Sequence, residues 1–562
     1  MEETIHLPSG AQMAASEPRA GLFRRWQLLV PAVLAPVVET TLLLQLGPKD
    51  GAALGPQVSA PPPFDLFHDL RWIAVYHNSW LTLALELLGM LVLRSLYVAF
   101  MVQMAWPKDR AAPSMLRAFP RALAFHVVAG VLLLPWVVLL FGMALMHVSY
   151  LFFAALPPTL VIAVLIHRGA LNQTAGGWWR WGPTWVSVGW LVVGFLGLTL
   201  AGTLVSVAPL PVALLMAAAA GLLNAKVIFE IVSRIAEAPA PARARVRRWA
   251  NRLVPVAVVA MFGVATGGTS VGFAVNARSS KPAGSAVPIP VRGDGHPVLA
   301  ASGYNSHWSP GQRFQLPKDF VGYQFSYLGL DTRGRLAPYG PRDTLQPLDV
   351  SARRMGQEVA ALHRGHRSPV TIVADSEGAL VARTFILRIY RPSSGMVDRL
   401  IVMDLPVGLS SVYYPPRGRE GWGVGTGWGL RGLAALIRNI APIPASADAP
   451  FVRDLVQCKA LIASLGTSPP PAGVDEVSFR ALADSVDGVY PLAPAGAEFV
   501  FSAVHGTLID EPGVDVVIED ILTGVPTRHP GVGVRLAHVV AALAGPWHVP
   551  SLVPDLAPVG GC

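Results

Sequence analysis

The sequence predicts a fold in two parts: an N-terminal all-α membrane domain of about seven helices and a C-terminal α/β domain with a doubly wound, mostly parallel sheet. Three observations predict it. The chain has 562 residues, more than one hydrophobic core usually supports. Hydrophobic residues make up 52% and charged residues 14%, against about 25% charged in soluble proteins. Long apolar runs end near Lys281, and short apolar runs alternating with helical patterns follow.

The membrane domain is predicted over residues 26–276, after a tail at 1–25. A run must be about 20 residues long to cross about 30 Å of hydrocarbon. Seven runs reach that length, at 26–46, 78–104, 122–146, 148–167, 184–206, 208–232 and 253–276. The first run is too long and lacks the cleavage site expected of a signal peptide.

The basic residues predict the orientation of these spans, because short loops rich in Lys and Arg stay in the cytoplasm. Basic residues cluster before the first span and in alternate loops, namely Arg19, Arg24, Arg25, Lys108, Arg110, Arg117, Arg121, Arg168, Arg180, Arg234, Arg243, Arg245, Arg247, Arg248 and Arg252. The loop 47–79 holds only Lys49 and Arg71. We therefore expect a cytoplasmic N-terminus and, after an odd number of spans, an extracytoplasmic C-terminal domain in a multi-pass cell-membrane protein.

Several ionisable residues fall within the predicted spans: Glu39, Glu86, Arg94, Lys226 and Glu230. Such residues are costly in lipid and often functional. Lys226 and Glu230 are spaced for a local ion pair or for snorkelling. Glu39 and Glu86 are compatible with protonated carboxyls, a lipid-headgroup site or a proton path. The segment from Phe64 to Tyr76 has the pattern of an interfacial amphipathic helix.

After a linker at 277–295, residues 296–562 carry the pattern of an α/β domain. Buried strands are predicted at His296–Ala301, Gly322–Tyr327, Pro369–Ala374, Arg399–Met403, Val477–Ala483 and Glu498–Val504. Helices are predicted at 348–365, 377–391, 451–465 and 534–544. Strands that alternate with helices indicate a parallel sheet covered on both faces, with function at the carboxyl ends of the strands.

Ser376 is the candidate nucleophile. The sequence Ala374-Asp-Ser-Glu-Gly378 joins a predicted strand to a predicted helix. A serine at so tight a turn needs small residues two before and two after it, and Ala374 and Gly378 meet that need. The segment resembles the nucleophile elbow of the α/β-hydrolase superfamily, usually Gly-x-Ser-x-Gly, with Ala in place of the first Gly. The membrane half resembles no family that we recognise.

The resemblance extends to residues 290–545 and implies an acid and a histidine downstream of the serine. Asp487-Gly-Val-Tyr-Pro491 resembles the superfamily's acid turn, and His505-Gly-Thr-Leu508 resembles its histidine loop. It thus implies a Ser376–His505–Asp487 triad. Asp484 and Asp404 are alternative acids, and a turn-capping Asp487 or a surface His505 is the structural alternative.

The resemblance also implies an oxyanion hole built from the backbone N–H groups of Glu377 and of Tyr304, or else Asn305, in the loop after the first strand. A simple turn around Gly303 is the alternative. Residues 405–450 fit no core element, are rich in Trp, Tyr and Gly, and occupy the place of the superfamily's lid. They are equally compatible with a surface loop.

The two cysteines, Cys458 and Cys562, both lie in the half expected outside the cytoplasm. A bridge between them would stabilise the fold by roughly 4–5 kcal/mol, and two free thiols are the alternative. The net charge of +9 forms no basic patch typical of nucleic-acid binding, and no metal-ligand or cofactor motif is present.

Together these features predict a bacterial, membrane-anchored extracytoplasmic serine hydrolase of lipase or esterase type, which acts without a cofactor on an apolar acyl ester or thioester and has the lipid bilayer as a partner. An envelope acyltransferase with the same triad, and a non-catalytic transporter or sensor, are the alternatives.

Overall fold

The computed structural model describes residues 26–145, 185–237, 285–309, 316–407, 413–440, 444–481, 497–501, 505, 508, 511–525, 543, 545–553 and 556. Five of the described helices are long and apolar enough to cross a membrane. They are α1 (Trp26–Leu46), α3 (Trp80–Ala105), α4 (Met115–Leu145), α5 (Trp185–Val207) and α6 (Leu210–Glu237). The spans predicted at 148–167 and 253–276 lie outside the described residues, so the count of seven stays a prediction.

Between α1 and α3 the chain folds back into the helix bundle as a 3₁₀ helix, Lys49–Gln57, and then as α2, Phe64–Val75. We call residues 47–63 the re-entrant segment. Its polar groups bond to the spanning helices: Ser59 Oγ donates to Ala32 O at 2.7 Å, Asn224 Nδ2 donates to Pro56 O at 3.1 Å, and Arg94 donates to Val58 O.

The re-entrant segment reaches deep into the bundle. Ala32, Arg94 and Asn224 each lie 14 positions from the end of their helix on this side of the bundle, at Leu46, Trp80 and Leu210, which corresponds to about 21 Å at 1.5 Å per residue. Backbone without regular hydrogen bonding is tolerated at such depth only when protein groups satisfy it. The side chains of Arg94 and Asn224 do so here, by donating to Val58 O and Pro56 O.

Helix α2 is present where the sequence predicts it, but the prediction that it lies on a membrane surface is wrong. Asp65 and Arg71 are 0% exposed, because α2 packs between protein elements. His68 Nε2 lies 2.7 Å from Glu39 Oε1 of α1, and Arg94 of α3 pairs with Asp69. Glu39, His68, Asp69 and Arg94 thus satisfy one another inside the bundle.

The other ionisable residues of the spans differ in whether their charged groups have a partner. Lys226 Nζ and Glu230 Oε1 form the expected ion pair one helical turn apart, at 2.7 Å. Oε2 of Glu86 is buried and has no hydrogen-bond partner among the described residues.

The C-terminal half contains a six-stranded sheet in the order β2-β1-β3-β4-β5-β6. Its strands are β1 (His296–Ala301), β2 (Phe320–Gln324), β3 (Val370–Asp375), β4 (Val397–Met403), β5 (Asp475–Ala481) and β6 (Ala497–Phe501). Every neighbouring pair is parallel. All six strands overlap the predicted ones. Their carboxyl ends therefore meet at one edge, where the loops that carry the candidate residues begin.

Helices cover both faces of this sheet. The helices of this half are α7 (Leu348–His366), α8 (Glu377–Thr384, continued by a π-helical turn Phe385–Ile389), α9 (Val424–Ile440), α10 (Pro450–Gln457), α11 (Lys459–Thr467) and α12 (Pro512–Thr523). Helix α9 packs on α2, α3 and α4 of the membrane domain. Ile372 of β3 packs on the face that α7 and α8 cover, and Val373 on the face that α12 covers. The helix predicted at 451–465 is interrupted at Cys458, and the one at 534–544 lies outside the described residues.

The two halves are joined by a C-terminal segment, residues 545–553, that packs into the membrane domain. The Trp547 ring stacks on Phe195 of α5 with centroids 4.6 Å apart. The buried Arg71 guanidinium donates to the carbonyls of Pro546 and His548, each at 2.9 Å. An arginine that leaves water must find several acceptors, and these contacts supply them.

Candidate active site

The candidate nucleophile lies on a strained turn between β3 and α8. Ser376 has φ 52° and ψ −117°, a conformation that costs a residue with a side chain of order 1–3 kcal/mol. The turn is held by the Ser376 N–H, which donates to Met403 O at 2.9 Å, and by the Ala379 N–H, which donates to Ser376 O at 3.0 Å. This strand–serine–helix geometry is that of a nucleophile elbow.

Two glycines let the chain pass close to this turn. A Cβ on Gly378 would lie 2.6 Å from Ala301 O, and a Cβ on Gly303 would lie 2.7 Å from Ser376 Cβ. Neither contact is tolerable, so both positions require glycine. The sequence suggested the need at Gly378, while for Gly303 it left open a simple turn. The structure shows that Gly303 brings the loop after β1 against the serine.

The structure brings Ser376 and His505 together. Ser376 Oγ lies 2.8 Å from His505 Nε2, although 129 positions separate the residues. His505 follows β6, and both side chains are almost covered, with 3% of Ser376 and 4% of His505 exposed. A hydroxyl at hydrogen-bond distance from an imidazole nitrogen can transfer its proton to that nitrogen.

Of the three candidate acids, Asp487 and Asp484 lie outside the described residues. Asp404 lies directly after β4, is 0% exposed and has φ 48°. Its Oδ1 accepts the Ala481 N–H at 2.7 Å, and its own N–H donates to Phe479 O at 3.0 Å. Asp404 therefore fixes the carboxyl end of β5, the strand that leads to Asp484 and Asp487.

The two candidate oxyanion donors differ in their surroundings. Tyr304 is next to Gly303, which touches the serine, and Glu377 begins helix α8, whose N-terminus favours negative charge. The alternative donor Asn305 is already engaged, because its N–H donates to Thr344 Oγ1 at 3.1 Å. The backbone N–H groups of Tyr304 and Glu377 are therefore the two to test as oxyanion donors.

The carboxyl of Glu377 is an unexpected feature of the site. It is 1% exposed, and neither oxygen has a hydrogen-bond partner among the described residues. Burial holds its pKa well above the usual range. Burial, with the Glu377 carboxylate as a second cause, also raises the pKa of Tyr304. Burial therefore favours the protonated, uncharged form of the Glu377 carboxyl.

We expect Glu377→Gln to extend activity to higher pH. A carboxyl whose folded-state pKa is raised stabilises the fold in its protonated form, and that stabilisation is lost as pH rises through the folded pKa. Ionised Glu377 would also oppose a developing oxyanion. The alkaline limb of kcat/KM should move up in pH in the variant. Glu358→Gln of helix α7 is the control, because burial also raises the pKa of Glu358, whose carboxylate accepts the Ser326 N–H at 3.2 Å. An alkaline limb at the same pH in wild type and Glu377→Gln would contradict the prediction.

Part of the segment predicted as a lid covers the tyrosine next to Gly303. Tyr304 Oη donates to Pro444 O at 3.3 Å, and its ring stacks on Phe451 with centroids 6.2 Å apart. The same segment forms α9, which packs on the membrane domain: the Gly425 N–H donates to His77 Nε2 at 2.8 Å. Residues 408–412 and 441–443 lie outside the described residues, and a lid that moves stays a prediction.

Cys458 is disulfide-bonded, and the described residues contain no free cysteine. Cys562 lies outside the described residues, so its pairing with Cys458 stays a prediction.

Comparisons with known proteins find likenesses among solved structures. No family model matches the chain, and no curated protein matches it. Among solved structures, a lipase B from Aspergillus fumigatus matches with a TM-score of 0.24 and 12% sequence identity, over 46% of this chain and 66% of that one.

Proposed function

We propose that the chain is a membrane-anchored, extracytoplasmic serine hydrolase that cleaves an ester or thioester of an apolar acyl group. One observation carries the proposal: the hydroxyl of Ser376 lies 2.8 Å from the imidazole of His505, on a strained turn at the carboxyl end of a parallel strand. Strain at such a position is retained where chemistry needs the serine oxygen held above the end of the strand.

The proposed chemistry has two steps. His505 Nε2 takes the Ser376 proton while Oγ attacks the acyl carbonyl carbon, and the oxyanion that forms is met by the N–H groups of Glu377 and Tyr304. His505 then donates the proton to the departing alcohol or thiol, which leaves an acyl-enzyme. Water attacks this ester, gives a proton to His505 and releases the acid, and the proton returns to Ser376. Asp487 would orient the imidazole and stabilise its charged form.

The packing of the two halves supports the proposed side of the membrane. The C-terminal segment touches α5 near its end, since a Cβ on Gly202 would lie 2.7 Å from Pro546 Cβ. Helix α9 lies against Val138 of α4, 3.0 Å from the position of a Cβ on Gly429. Both contacts are close to the helix ends that the distribution of Lys and Arg leaves outside the cytoplasm.

An apolar acyl substrate is favoured by the surroundings of the serine. Ser376 and His505 are nearly covered, the neighbouring Tyr304 packs on Phe451, and α9 continues from this cover to the membrane helices. Such a site excludes water and suits an apolar chain. Because exclusion of water also prolongs an acyl-enzyme, transfer of the acyl group to another alcohol is the second candidate.

The proposal is tested with a fluorophosphonate probe on membranes that contain the full-length protein. The probe phosphonylates an activated serine, and we expect one labelled band for the wild type. Absence of labelling of folded protein would contradict the enzyme and favour a transporter or sensor. Release of acid from a p-nitrophenyl ester, measured with and without added alcohol, then separates hydrolysis from transfer.

A further inference from the structure

Helix α9 has an apolar stripe on its exposed side. Trp428 and Leu436 are each 41% exposed, and Gly432 between them is exposed as well. Residues four apart on a helix are neighbours on its surface, so the three form one row, which we call the α9 stripe. The stripe is an apolar surface outside the core of the C-terminal half.

The α9 stripe runs beside two membrane-spanning helices. A Cβ on Gly425 would lie 2.5 Å from Leu83 of α3, and a Cβ on Gly429 would lie 3.0 Å from Val138 of α4. Each of these glycines lies three positions before a residue of the stripe, so both contacts border it. Leu83 is the fourth residue of α3, about 4.5 Å along the helix axis from its start. The stripe therefore lies at the end of the bundle where α3 begins.

The surface of α3 next to this contact faces lipid. Trp80, its first residue, is 48% exposed, and Leu81, Leu85 and Leu88 are 68%, 58% and 61% exposed. Because α3 is long and apolar enough to cross a membrane, the medium around these leucines is hydrocarbon. Tryptophan is enriched where hydrocarbon meets the head groups. The α9 stripe is thus continuous with a surface that contacts lipid.

Two arginines flank the tryptophan of the stripe. The guanidinium carbons of Arg417 and Arg431 lie 5.8 Å and 5.6 Å from the centroid of the Trp428 ring. Arg431 shares the carboxylate of Asp448 with Arg453, at 2.8 Å and 3.9 Å. One carboxylate for several arginines leaves an excess of positive charge beside Trp428.

The loop before α9 adds to this charge at the level of the lipid head groups. It is held at the start of α3, because the Trp80 N–H donates to Glu420 Oε1 at 3.4 Å. Arg417 and Arg419 of the loop are exposed. Glu420 is the one acidic residue within 413–440, a stretch that contains four arginines. Exposed arginines at this level are placed to meet the phosphates of anionic lipids.

An apolar stripe that is continuous with lipid-facing helices and bordered by arginines has the chemistry of a helix that lies in a membrane interface. We propose that the α9 stripe lies in the bilayer leaflet at this end of the bundle. Trp428 and Leu436 then contact the first carbons of the acyl chains, and Arg417 and Arg419 contact phosphates of anionic lipids. The surface is separate from Ser376 and does not depend on the proposed hydrolase activity.

Insertion of the stripe is tested with a nitroxide spin label on Gly432→Cys of the full-length protein, in nanodiscs of phosphatidylcholine and phosphatidylglycerol. A Cβ on Gly432 meets nothing within 4 Å, so the label does not disturb the packing. Oxygen concentrates in hydrocarbon, whereas a nickel chelate stays in water. We expect the label to collide more often with oxygen than with the chelate, as a label on Leu85→Cys of α3 should.

A label on Val516→Cys of α12, a 59% exposed position, should show the opposite order. Wild-type protein treated with the same reagent gives the blank for the native cysteines, and a Ser376→Ala background excludes turnover of lipid. A Gly432 label that behaves like the Val516 label would overturn the proposal. A Gly432 label that meets neither reagent would show that protein covers the stripe, which overturns it equally.

The arginines are tested by native mass spectrometry of protein released from nanodiscs with equal amounts of the two lipids. The double variant Arg417→Gln with Arg419→Gln should lower the preference for retained phosphatidylglycerol by about fivefold for each arginine removed. Arg391→Gln is the control, because Arg391 is exposed in the loop before β4 and should leave the preference unchanged. A preference that survives in the double variant would contradict the proposed phosphate contacts.

Discussion

Ser376→Ala is expected to lower kcat for hydrolysis of a p-nitrophenyl ester by about 10⁵–10⁶, and His505→Ala by a similar factor. The two side chains lie at hydrogen-bond distance, 2.8 Å. In the proposed mechanism they act as one unit, because the serine supplies the oxygen that forms the acyl-enzyme and the histidine takes the proton that the oxygen must lose. Removal of either therefore removes nearly the whole benefit.

The double variant is the sharper experiment. If the residues act together, Ser376→Ala combined with His505→Ala should be little slower than either single variant, because the second change removes nothing that still operates. Fluorophosphonate labelling should vanish in Ser376→Ala and be greatly slowed in His505→Ala. Multiplicative losses in the double variant would mean that the serine and histidine act independently, contrary to the proposed acyl-enzyme.

A matched control separates chemistry from folding. Ser351 of α7 is 1% exposed, so Ser351→Ala removes a buried hydroxyl far along the chain from the candidate site. It should retain labelling and turnover within a few-fold of wild type. Loss of labelling in Ser351→Ala at unchanged thermal stability would show that the probe does not report on Ser376.

The sheet could be predicted from the sequence because strands buried on both faces appear as continuous apolar runs. All six runs fall on strands of one parallel sheet. Helix α12 was missed, although Val514, Ile518 and Leu522 recur every four residues and pack on the sheet. The acidic residues between them obscure the apolar pattern of this segment, to which the sequence analysis assigns no element.

The deep position of residues 47–63 could not be predicted. The segment is rich in Ala, Gly and Pro, a composition typical of an exposed connection. Its burial depends on partners far along the chain: Pro56 bonds to Asn224, 168 positions away. For the same reason the polar face of α2 suggested a membrane surface, whereas Arg71 meets carbonyls 475 and 477 positions away.

The turn that carries the candidate serine could be predicted from the sequence, but the packing of other loops against it could not. The small residues around Ser376 and the order of serine and histidine are properties of short segments. The closeness of Gly303 to Ser376 and the packing of Tyr304 on Phe451 depend on how strands and loops meet in space. The unpartnered carboxyl of Glu377 had no signal in the sequence, since a glutamate after the serine would ordinarily be placed in solvent.

Asp487→Asn is expected to lower kcat by about 10⁴ without unfolding the protein, because an amide would hold the histidine in the wrong tautomer. Asp404→Asn should lower kcat by less than about tenfold. The measurements are kcat for the same ester and thermal unfolding of each purified variant, with Asp484→Asn as the third arm. The reverse ranking, with the large loss in Asp404→Asn, would assign the acid to Asp404.

This ranking follows from the different positions of Asp404, in the loop after β4, and Asp487, in the loop after β5. Asp404 is committed to the fold: its Oδ1 accepts the Ala481 N–H at 2.7 Å, a bond that the amide oxygen of asparagine can keep. Truncation to alanine would orphan that buried N–H and cost about 1–3 kcal/mol. Asp487 and His505 follow β5 and β6, which are neighbours in the sheet. Because parallel neighbours end at the same edge, the proposed acid Asp487 and base His505 would reach the serine on β3 from adjacent strands. Asp404 would then act by anchoring the strand that leads to Asp487.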